Sequence, residues 1–343
     1  MAIPRHILVF RFSALGDVAM TVPVIRLLLD QNPGLSVTFV SDPFMAPLFE
    51  GIDRLQFIGA DTRKEYKGLP GLFRFSRELN HTVSFDAIAD LHNVLRTKII
   101  RAFLPGRKHA SIDKGRAEKR ELTRPANKKL RQLKTGFQRY ADVFELLGLP
   151  VDLKNGQGVI KPEPLPGLVP GLQGKKLVGI APFARHLPKM YPLEKMKEVA
   201  RQLSERNDIG IILFGSPNEA SVLDTWQSPA IYSVAGKISF SQELNLISQL
   251  DVMISMDSAN MHLASMYGVP VISIWGGTHP FLGFYGWGQS PDNAIQADLP
   301  CRPSSVFGNK PCPVHGEQGC MKGITPAIII EKLLSVEGLA SHD

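Results

Sequence analysis

The 343-residue chain lacks features that define several classes of protein. It has no apolar run of the ~20 residues that a membrane-spanning helix needs. Arg11 and Asp17 interrupt the apolar stretch near its start, a pattern that does not fit a secretory leader, so we expect a cytoplasmic protein. Its three cysteines, Cys301, Cys312 and Cys320, are an odd number near one end, which argues against a disulfide framework.

Four familiar site motifs are also missing. The chain contains no G-x-G-x-x-G after the first predicted strand, and no G-x-x-x-x-G-K-[ST], H-E-x-x-H or G-x-S-x-G. These absences disfavour NAD enzymes, P-loop NTPases, zincins and α/β hydrolases.

Charge is unevenly placed along a chain of formal net charge +7. Residues 96–139 hold 15 Lys or Arg against three acids, which is +12, and the remainder therefore carries −5. Such asymmetry is typical of a surface that meets an anionic partner, whether nucleic acid, a membrane surface or a phosphorylated glycolipid. A solvated, partly disordered basic loop fits equally well, because residues 114–134 are weakly apolar.

Short β-rich runs alternate with helical patterns over residues 6–104 and again over residues 177–275. This alternation indicates βαβ units on parallel sheets. Residues 161–174 (KPEPLPGLVPGLQG) are too rich in Pro and Gly for a helix or a central strand and form the best linker. We predict an α/β fold with two Rossmann-like domains, 1–160 and 175–343, facing across a cleft that binds ligands at the carboxyl ends of the strands.

The turn Ser13-Ala14-Leu15-Gly16-Asp17 follows the first predicted strand. Gly16 permits a positive φ or the close approach of a ligand. Asp17 stands at a helix start, where free N–H groups and the helix dipole stabilise a carboxylate. A base that faces the cleft and an ordinary helix cap are both compatible with this position.

The segment Asp257-Ser258-Ala259-Asn260-Met261-His262 follows a predicted strand of the second half. The small Ser258 and Ala259 leave room for an anion at the helix N-terminus. Asp257 can accept hydrogen bonds from ligand hydroxyls, and His262 can donate to a phosphate. A capped helix with a core histidine explains the same residues.

Three more loops at predicted strand ends carry polar groups. Arg185 and Lys189 suit a departing diphosphate, and they also fit solvated surface cations. The turn at Gly277 and Thr278 can offer N–H groups to ligand oxygens, although a plain turn also favours glycine. Glu219 is either a ribose partner or a favourable charge at a helix start.

The order and spacing of these motifs resemble glycosyltransferase family 9, the ADP-heptose:lipopolysaccharide heptosyltransferases, along nearly the whole chain. The matching segments are S-x-x-G-D at 13–17, D-L-H at 90–92 with Arg96, Lys189 before an aromatic-Pro pair, F-G-S with Glu219, D-S-A-x-x-H at 257–262 and G-G-T-x-P at 276–280. The resemblance implies a GT-B architecture. It also implies inverting, metal-independent transfer of a heptose or related sugar from an ADP-activated donor to a lipopolysaccharide inner-core or similar acceptor.

The resemblance also implies roles for particular residues. Asp17 would be the general base, and Lys189 would neutralise the diphosphate. The donor site would comprise Ser13, Gly16, Arg185, Glu219, Asp257, Ser258, Ala259, His262, Gly277 and Thr278. The acceptor site would comprise His92, Arg96, Arg107, Lys108, Arg116 and Arg120. The basic segment would hold the enzyme peripherally on the inner membrane surface.

The resemblance implies no metal and no cofactor, and the chain agrees with this in having no D-x-D, the metal–nucleotide clamp of the other glycosyltransferase architecture. The three cysteines with His315 are numerous enough to bind zinc, but spacings of eleven and eight residues lack a C-x₂₋₄-C pair. Ala184 and Arg185 stand where the family often has a Thr or Ser pair, which leaves the donor sugar open.

Two other functions remain compatible with the sequence. One is a non-catalytic nucleotide- or sugar-binding paralogue, against which the retained Asp17 and Lys189 argue. The other is a polyanion-binding protein. Only Phe103, Phe137 and Tyr140 interleave with the basic segment, so base stacking is poorly supported and we expect no nucleic-acid partner.

Overall fold

The computed structural model shows two compact units. The first combines Met1–Lys114 with Thr135–Gln157, and the second combines Gly115–Lys134 with Gly158–Asp343. The structure describes residues 3–104, 106–154, 161–165, 167–169, 171–336 and 339. The predicted domain ends at 1, 160 and 343, and residues 166 and 170 of the predicted linker, lie outside these.

Each unit contains one parallel sheet. The strand order is β3-β2-β1-β4-β5 in the first unit and β11-β10-β9-β6-β7-β8 in the second. The strands are β1 His6–Phe10, β2 Ser36–Ser41, β3 Leu55–Gly59, β4 Ala87–Asp90, β5 Lys108–Ser111, β6 Lys176–Ala181, β7 Ile209–Leu213, β8 Ile231–Ser233, β9 Val252–Met256, β10 Val271–Trp275 and β11 Ala294–Gln296.

Helices connect most neighbouring strands. The α-helices are α1 Leu15–Ala19, α2 Thr21–Gln31, α3 Gly68–Thr82, α4 Leu95–Ala102, α5 Arg116–Leu122, α6 Gly136–Leu146, α7 Leu193–Ser204, α8 Ala220–Asp224, α9 Phe240–Ser248, α10 Ala259–Met266 and α11 Pro326–Leu334. Short 3₁₀ helices span Pro43–Phe49, Leu187–Lys189, Pro217–Glu219, Pro280–Leu282, Pro291–Asn293 and Gly319–Met321.

The central strands are buried on both faces, as their continuous apolar sequences predict. In β1 the last four residues are buried, and all five residues of β9 are buried. Full burial of a large aliphatic or aromatic side chain stabilises the fold by roughly 1.5–3 kcal/mol. These strands therefore form rigid supports for the loops that follow them.

The strand orders place one switch point in each sheet. In the first unit β1 lies between β2 and β4, and in the second β6 lies between β7 and β9. Consecutive connections leave such a point in opposite directions, which opens a crevice at the carboxyl ends of the two strands, where α/β proteins bind ligands. The loops after β1, β4, β6 and β9 are therefore the places to look for a site.

The basic segment (residues 96–139), for which a surface for an anionic partner and a solvated loop were both expected, contains regular structure. It contains β5 and α5, and residues 115–134 belong to the second unit. Leu122 and Leu133 pack against Leu282, and the Leu133 N–H donates to the Phe281 carbonyl at 3.0 Å. These few apolar residues are spaced too widely to give a helical pattern, and they attach residues 115–134 to the rest of the second unit.

The first helical region is divided at Met20 into α1, which begins at Leu15, and α2. Across the described residues, no helix combines the length and the apolar character needed to cross a bilayer.

Candidate active site

Asp17 lies at the carboxyl end of β1, in the first turn of α1. Its Oδ2 accepts a hydrogen bond from the Ala14 N–H at 3.2 Å and forms an ion pair with Arg11 Nη2 at 2.6 Å. The N-cap is Ala14, so Asp17 supports the helix start from within the helix. About a third of its side chain is exposed (35%), which leaves the carboxylate accessible to a ligand.

Arg11 holds Asp17 from the protein interior. The Arg11 side chain is buried, and its Nη1 donates to the Leu91 carbonyl at 2.7 Å. The guanidinium also lies 5.8 Å from the centre of the Tyr140 ring, whose hydroxyl donates to the Asp17 carbonyl at 3.1 Å. Charge-assisted contacts of this kind stabilise the ionised carboxylate and fix its orientation.

His92 follows β4, the neighbour of β1, and lies beside the Asp17 loop. Its Nδ1 accepts a hydrogen bond from the Phe12 N–H at 3.3 Å. Burial, followed by the nearby Arg11 and Lys114, lowers the pKa of His92 to about 3. The ring is therefore neutral near pH 7 and carries its proton on Nε2, from which it can donate to a ligand oxygen.

Asp90 orders the loop that carries His92. Its Oδ1 accepts hydrogen bonds from the backbone N–H groups of His92 and Asn93 at 3.0 and 2.7 Å. Its Oδ2 lies 3.3 Å from Arg101 Nε, and the Asp90 side chain is fully buried. Asp90 is thus a positioning residue, which explains why an Asp precedes the Leu-His pair.

The structure separates the predicted acceptor residues into three groups. Arg96 lies near the Asp17 loop, where its Nη1 donates to Thr62 Oγ1 at 2.5 Å and its guanidinium lies 5.9 Å from the Phe12 ring centre. Lys108 begins β5 and pairs with Ala87 at the amino end of β4. Arg107 and Lys108 therefore lie at the amino ends of the strands, whereas His92 lies at the carboxyl ends, because all strands of a parallel sheet run in the same direction.

Arg116 and Arg120 form the third group. They are exposed on α5, which packs with the second unit. Between them in sequence, Lys119 is buried and its Nζ lies 4.1 Å from the Phe284 ring centre. Charge density along the sequence predicted one basic surface, whereas the structure assigns these residues to the two ends of the strands in the first unit and to α5 in the second unit.

Lys189, Asp257 and Thr278 form the polar centre of the second unit. Lys189 Nζ lies 3.0 Å from Asp257 Oδ2, and the Thr278 hydroxyl donates to the same oxygen at 2.8 Å. Asp257 is 5% exposed and Lys189 is 17% exposed. The loops after β6 and β9 bring Lys189 and Asp257 together, so the pair lies at the switch point of this sheet.

The turn at Gly276–Thr278 packs against the loop that carries Lys189. The Gly277 N–H donates to the Pro188 carbonyl at 2.7 Å rather than being directed at a ligand. A Cβ on Gly276 would lie 2.3 Å from the same carbonyl oxygen, so a side chain there would push the Lys189 loop away. The glycines therefore allow close packing of the two loops, and Thr278 orients Asp257.

The start of α10 carries two small residues. Ser258 is the N-cap residue, and Ser258 and Ala259 are partly exposed. The Ser258 hydroxyl pairs with Ser255 Oγ at 3.2 Å rather than capping the helix N–H groups. His262 lies one turn further in and is buried. Helix N–H groups at such a position attract anions.

The remaining predicted donor residues are distributed between the two units. Ser13 and Gly16 lie beside Asp17 in the first unit, and Gly16 is an ordinary helical residue of α1. Arg185 is exposed in the loop after β6. Glu219 follows β7 and its Oε2 accepts a hydrogen bond from the Ser216 N–H at 2.6 Å, which is the helix-start role given as its alternative.

Sequence reasoning gave no site role to three supporting residues. Arg11 was visible as a charge that ends an apolar strand, and Asp90 as an acid directly before the Leu-His pair. Arg302 is buried, and its guanidinium donates to the carbonyls of Trp275 and Gly276 at 3.1 and 2.5 Å, which fixes the end of β10. No local pattern marks Arg302, because its partners are backbone atoms distant in sequence.

Comparisons with known proteins by sequence find a family and a similar enzyme. A family model described as glycosyltransferase family 9 (heptosyltransferase) matches residues 72–311. The chain is 23% identical over 291 residues to the lipopolysaccharide core heptosyltransferase OpsX of Haemophilus influenzae, covering 81% of this chain and 80% of that protein.

Solved structures show the same fold. A glycosyl transferase family 9 protein from Veillonella parvula matches with a TM-score of 0.74 at 21% identity, over 96% of each chain. The E. coli heptosyltransferase WaaC with ADP-2-deoxy-2-fluoro heptose matches with a TM-score of 0.67 at 16% identity, over 96% of this chain and 98% of that one. At these identities the likeness concerns the fold, which is the predicted GT-B architecture of two parallel-sheet α/β domains.

The family model covers well over half of the chain, and the two groups of polar residues lie at the switch points of two parallel sheets. The chain therefore belongs to glycosyltransferase family 9, the heptosyltransferase family, and is a glycosyltransferase.

Proposed function

We propose that this enzyme transfers a heptose from an ADP-activated donor to a lipopolysaccharide inner-core acceptor, with inversion at the anomeric carbon and without a metal at the diphosphate. The proposal rests on two kinds of support. The curated relative from Haemophilus influenzae is named a lipopolysaccharide core heptosyltransferase, and one similar structure holds an ADP-heptose analogue. The residues of this chain supply the chemistry that such a transfer needs.

The observation that carries the proposal is the Lys189–Asp257 pair at the start of α10. Lys189 Nζ is a partly exposed cation 3.0 Å from a buried carboxylate. Asp257 and Thr278 fix the ammonium in place, so it needs little rearrangement to meet a diphosphate. As the sugar leaves, negative charge grows on the diphosphate, and a preorganised cation near a helix N-terminus stabilises that charge.

These groups take the place that a metal ion has in other glycosyl transfers. Removing one preorganised electrostatic contact typically lowers turnover about 10²–10³-fold. In the proposal Lys189 and the N–H groups at Ser258 and Ala259 contact the diphosphate, and His262 supports the same helix start. Asp257 stays the partner of Lys189, and Glu219 and Arg185 contribute to nucleotide or sugar contacts.

Asp17 is proposed as the general base. Its carboxylate accepts the proton of the attacking acceptor hydroxyl while that oxygen forms a bond to the anomeric carbon, opposite the departing diphosphate. Arg11 orients the carboxylate through the 2.6 Å ion pair. A base of this kind contributes about 10²–10⁴-fold to the rate.

The acceptor side is proposed to use His92 and Arg96. A neutral His92 can donate from Nε2 to a hydroxyl or carboxylate oxygen, and the Arg96 guanidinium suits the phosphates and carboxylates of a lipopolysaccharide core. The exposed arginines of α5 are proposed to contact the anionic cytoplasmic face of the inner membrane peripherally, where each cation contributes about 1 kcal/mol.

Calorimetric titration with ADP, UDP, GDP and NAD, with and without Mg²⁺, tests the donor. Selective binding of ADP that Mg²⁺ does not alter supports the proposal, and preference for UDP or GDP contradicts the donor assignment. Incubation with ADP-heptose and inner-core acceptor, followed by mass spectrometry, then tests transfer. Tight ADP binding with no product would favour a non-catalytic paralogue.

A further inference from the structure

A second cluster of reactive side chains lies in the second unit, in a segment that the proposed reaction does not use. The thiols of Cys301, Cys312 and Cys320 and an imidazole nitrogen of His315 all lie within 4.8 Å of one another. Cys301 Sγ is 3.2 Å and Cys312 Sγ is 3.8 Å from His315 Nδ1. We propose that these four side chains hold one tetrahedral transition-metal ion, Zn²⁺ or Fe²⁺, as a structural site.

The geometry agrees with tetrahedral coordination. Metal–sulfur and metal–nitrogen bonds of about 2.3 and 2.0 Å place ligand atoms roughly 3.5–3.8 Å apart around a tetrahedron. The thiol–imidazole distances of 3.2 and 3.8 Å lie on either side of the roughly 3.5 Å expected for a sulfur–nitrogen pair. Small side-chain rotations would therefore bring the four ligand atoms to coordination distance.

The ligand set selects the metal. Three thiolates and one imidazole suit zinc or ferrous iron and do not suit Mg²⁺ or Ca²⁺, which prefer oxygen. Four protein ligands leave no open coordination position, as in structural rather than catalytic sites. The metal therefore does not replace the diphosphate contacts proposed for Lys189.

A tight turn pairs two of the ligands. The Cys312 N–H donates to the Gly316 carbonyl at 2.9 Å, and the Gly316 N–H donates to the Cys312 carbonyl at 2.8 Å. Gly316 has a φ of +71°, which a residue with a side chain adopts at a cost. The turn Cys312-Pro313-Val314-His315 is thus a Cys-x₂-His pair, a metal-ligand spacing that a search for Cys-x₂₋₄-Cys overlooks.

Positively charged groups surround the cluster. A divalent ion with three thiolates and a neutral imidazole carries a net charge of −1. Lys128 Nζ lies 2.7 Å from the Cys301 carbonyl and 2.9 Å from the Pro303 carbonyl, and the buried Arg302 follows Cys301 directly. Such neighbours stabilise an anionic metal–thiolate site.

A metal here would close a long irregular segment. Residues 297–318, all of which the structure describes, contain no helix or strand. Segments of that length are uncommon in compact domains unless something orders them. The ion would join the segment at Cys301, at the Cys312–His315 turn and at Cys320.

The closed segment contacts the donor residues. Ser304 N–H donates to the Gly277 carbonyl at 2.8 Å, and a Cβ on Gly308 would lie 2.3 Å from Lys189 Cγ. Gln318 Nε2 donates to the Met190 carbonyl at 3.1 Å. The metal would therefore keep the loop of Lys189 in place without touching substrate.

Elemental analysis of the full chain, purified without a retained affinity tag, tests the proposal directly. We expect about one Zn or Fe per chain, and the two metals give separate signals. The exposed His315 is replaced in His315→Ala, and the exposed His81 of α3 serves as the matched control in His81→Ala. The metal dissociation constant of His315→Ala should rise at least about tenfold, whereas His81→Ala should match the wild type.

Cobalt substitution separates loss of the ligand from loss of the fold. The Co²⁺ form should show intense visible bands of a tetrahedral site, and the thiolate charge-transfer intensity should fall by about a third in Cys312→Ser. The proposal is overturned if the protein neither contains nor takes up stoichiometric metal, if two of the thiols form a disulfide, or if His315→Ala binds metal as tightly as His81→Ala. None of these measurements requires nucleotide, so they stand apart from the proposed transfer activity.

Discussion

The two units place an ion pair at the same topological position but expose opposite charges. In the first unit the Arg11 side chain is 8% exposed and its partner Asp17 is 35% exposed. In the second unit Asp257 is 5% exposed and its partner Lys189 is 17% exposed. One unit thus buries the cation and offers a carboxylate, whereas the other buries the carboxylate and offers a cation.

This difference divides the chemistry of the proposed transfer. An accessible, oriented carboxylate suits proton removal from an acceptor hydroxyl, and an accessible, oriented ammonium suits a diphosphate. The same sheet topology therefore supports either a base or a diphosphate-binding cation. Which of the two it supports depends on whether the cation or the carboxylate of the ion pair is buried. Four substitutions test the contrast, from the largest expected effect to the smallest.

Replacement of the exposed carboxylate should have the largest effect. Asp17→Asn keeps the size and the hydrogen-bonding oxygen but removes the base, so turnover should fall about 10²–10⁴-fold. Steady-state transfer assays measure the loss. Asp30→Asn, at an exposed position of α2, is the matched control and should retain turnover. Normal turnover by Asp17→Asn would remove Asp17 from the role of base.

Removal of the hydroxyl that orients the buried carboxylate should destabilise the second unit. Thr278→Val deletes the 2.8 Å donor to Asp257 at a buried position. Hydrogen bonds to charged groups contribute about 1.5–3 kcal/mol, so the free energy of unfolding should fall by about that amount. Denaturant titration measures it, with the exposed Thr225→Val as control. Equal stabilities of the two variants would contradict the role given to Thr278.

The carboxyl and amino ends of the strands in the first sheet provide the next test. Arg96→Gln should raise the KM for the acceptor about tenfold, because Arg96 lies near Asp17 and a charged hydrogen bond is lost. Arg107→Gln, near the amino ends of the strands, should leave that KM unchanged. Acceptor titrations at fixed donor and fixed salt compare the two. Similar KM increases in both variants would indicate that the whole basic segment binds the acceptor.

The smallest expected effect concerns His92 and pH. Its pKa is lowered to about 3 in the folded state, chiefly by burial, while the unfolded chain keeps a value near 6.5. The unfolded state therefore binds a proton first on acidification, and stability should fall by about 1 kcal/mol between pH 6.5 and 5.5. Denaturant titrations at both pH values should show a smaller loss in His92→Asn. An equal loss in both proteins would contradict the lowered pKa.

Much of the fold followed from local sequence patterns. The alternation of apolar strands and amphipathic helices predicted the two parallel sheets, because buried strands and surface helices have distinct periodicities. The short strand β5 and the helix α5 were missed, since their few apolar residues contact the protein through tertiary packing rather than through a periodic face. The attachment of residues 115–134 to the second unit is likewise a long-range property.

The residues of the site also fall into those that local sequence patterns predict and those that depend on long-range packing. Asp17, Lys189 and Asp257 could be picked out because each follows an apolar strand. That Arg11 holds Asp17, or that Gly277 packs against Pro188 instead of facing a ligand, depends on backbone geometry that no spacing records. The four side chains of the proposed metal site come from three separate positions between residues 301 and 320, so their spacing in the sequence indicates the site less clearly than their positions in the fold do.

Calorimetric titration of ADP into the wild type, Asp17→Asn and Lys189→Met tests the division between the two ion pairs most directly. The account predicts that Asp17→Asn binds ADP within about twofold of the wild type and that Lys189→Met binds at least about tenfold more weakly. Equal weakening in both variants, or unchanged ADP binding by Lys189→Met, would contradict it.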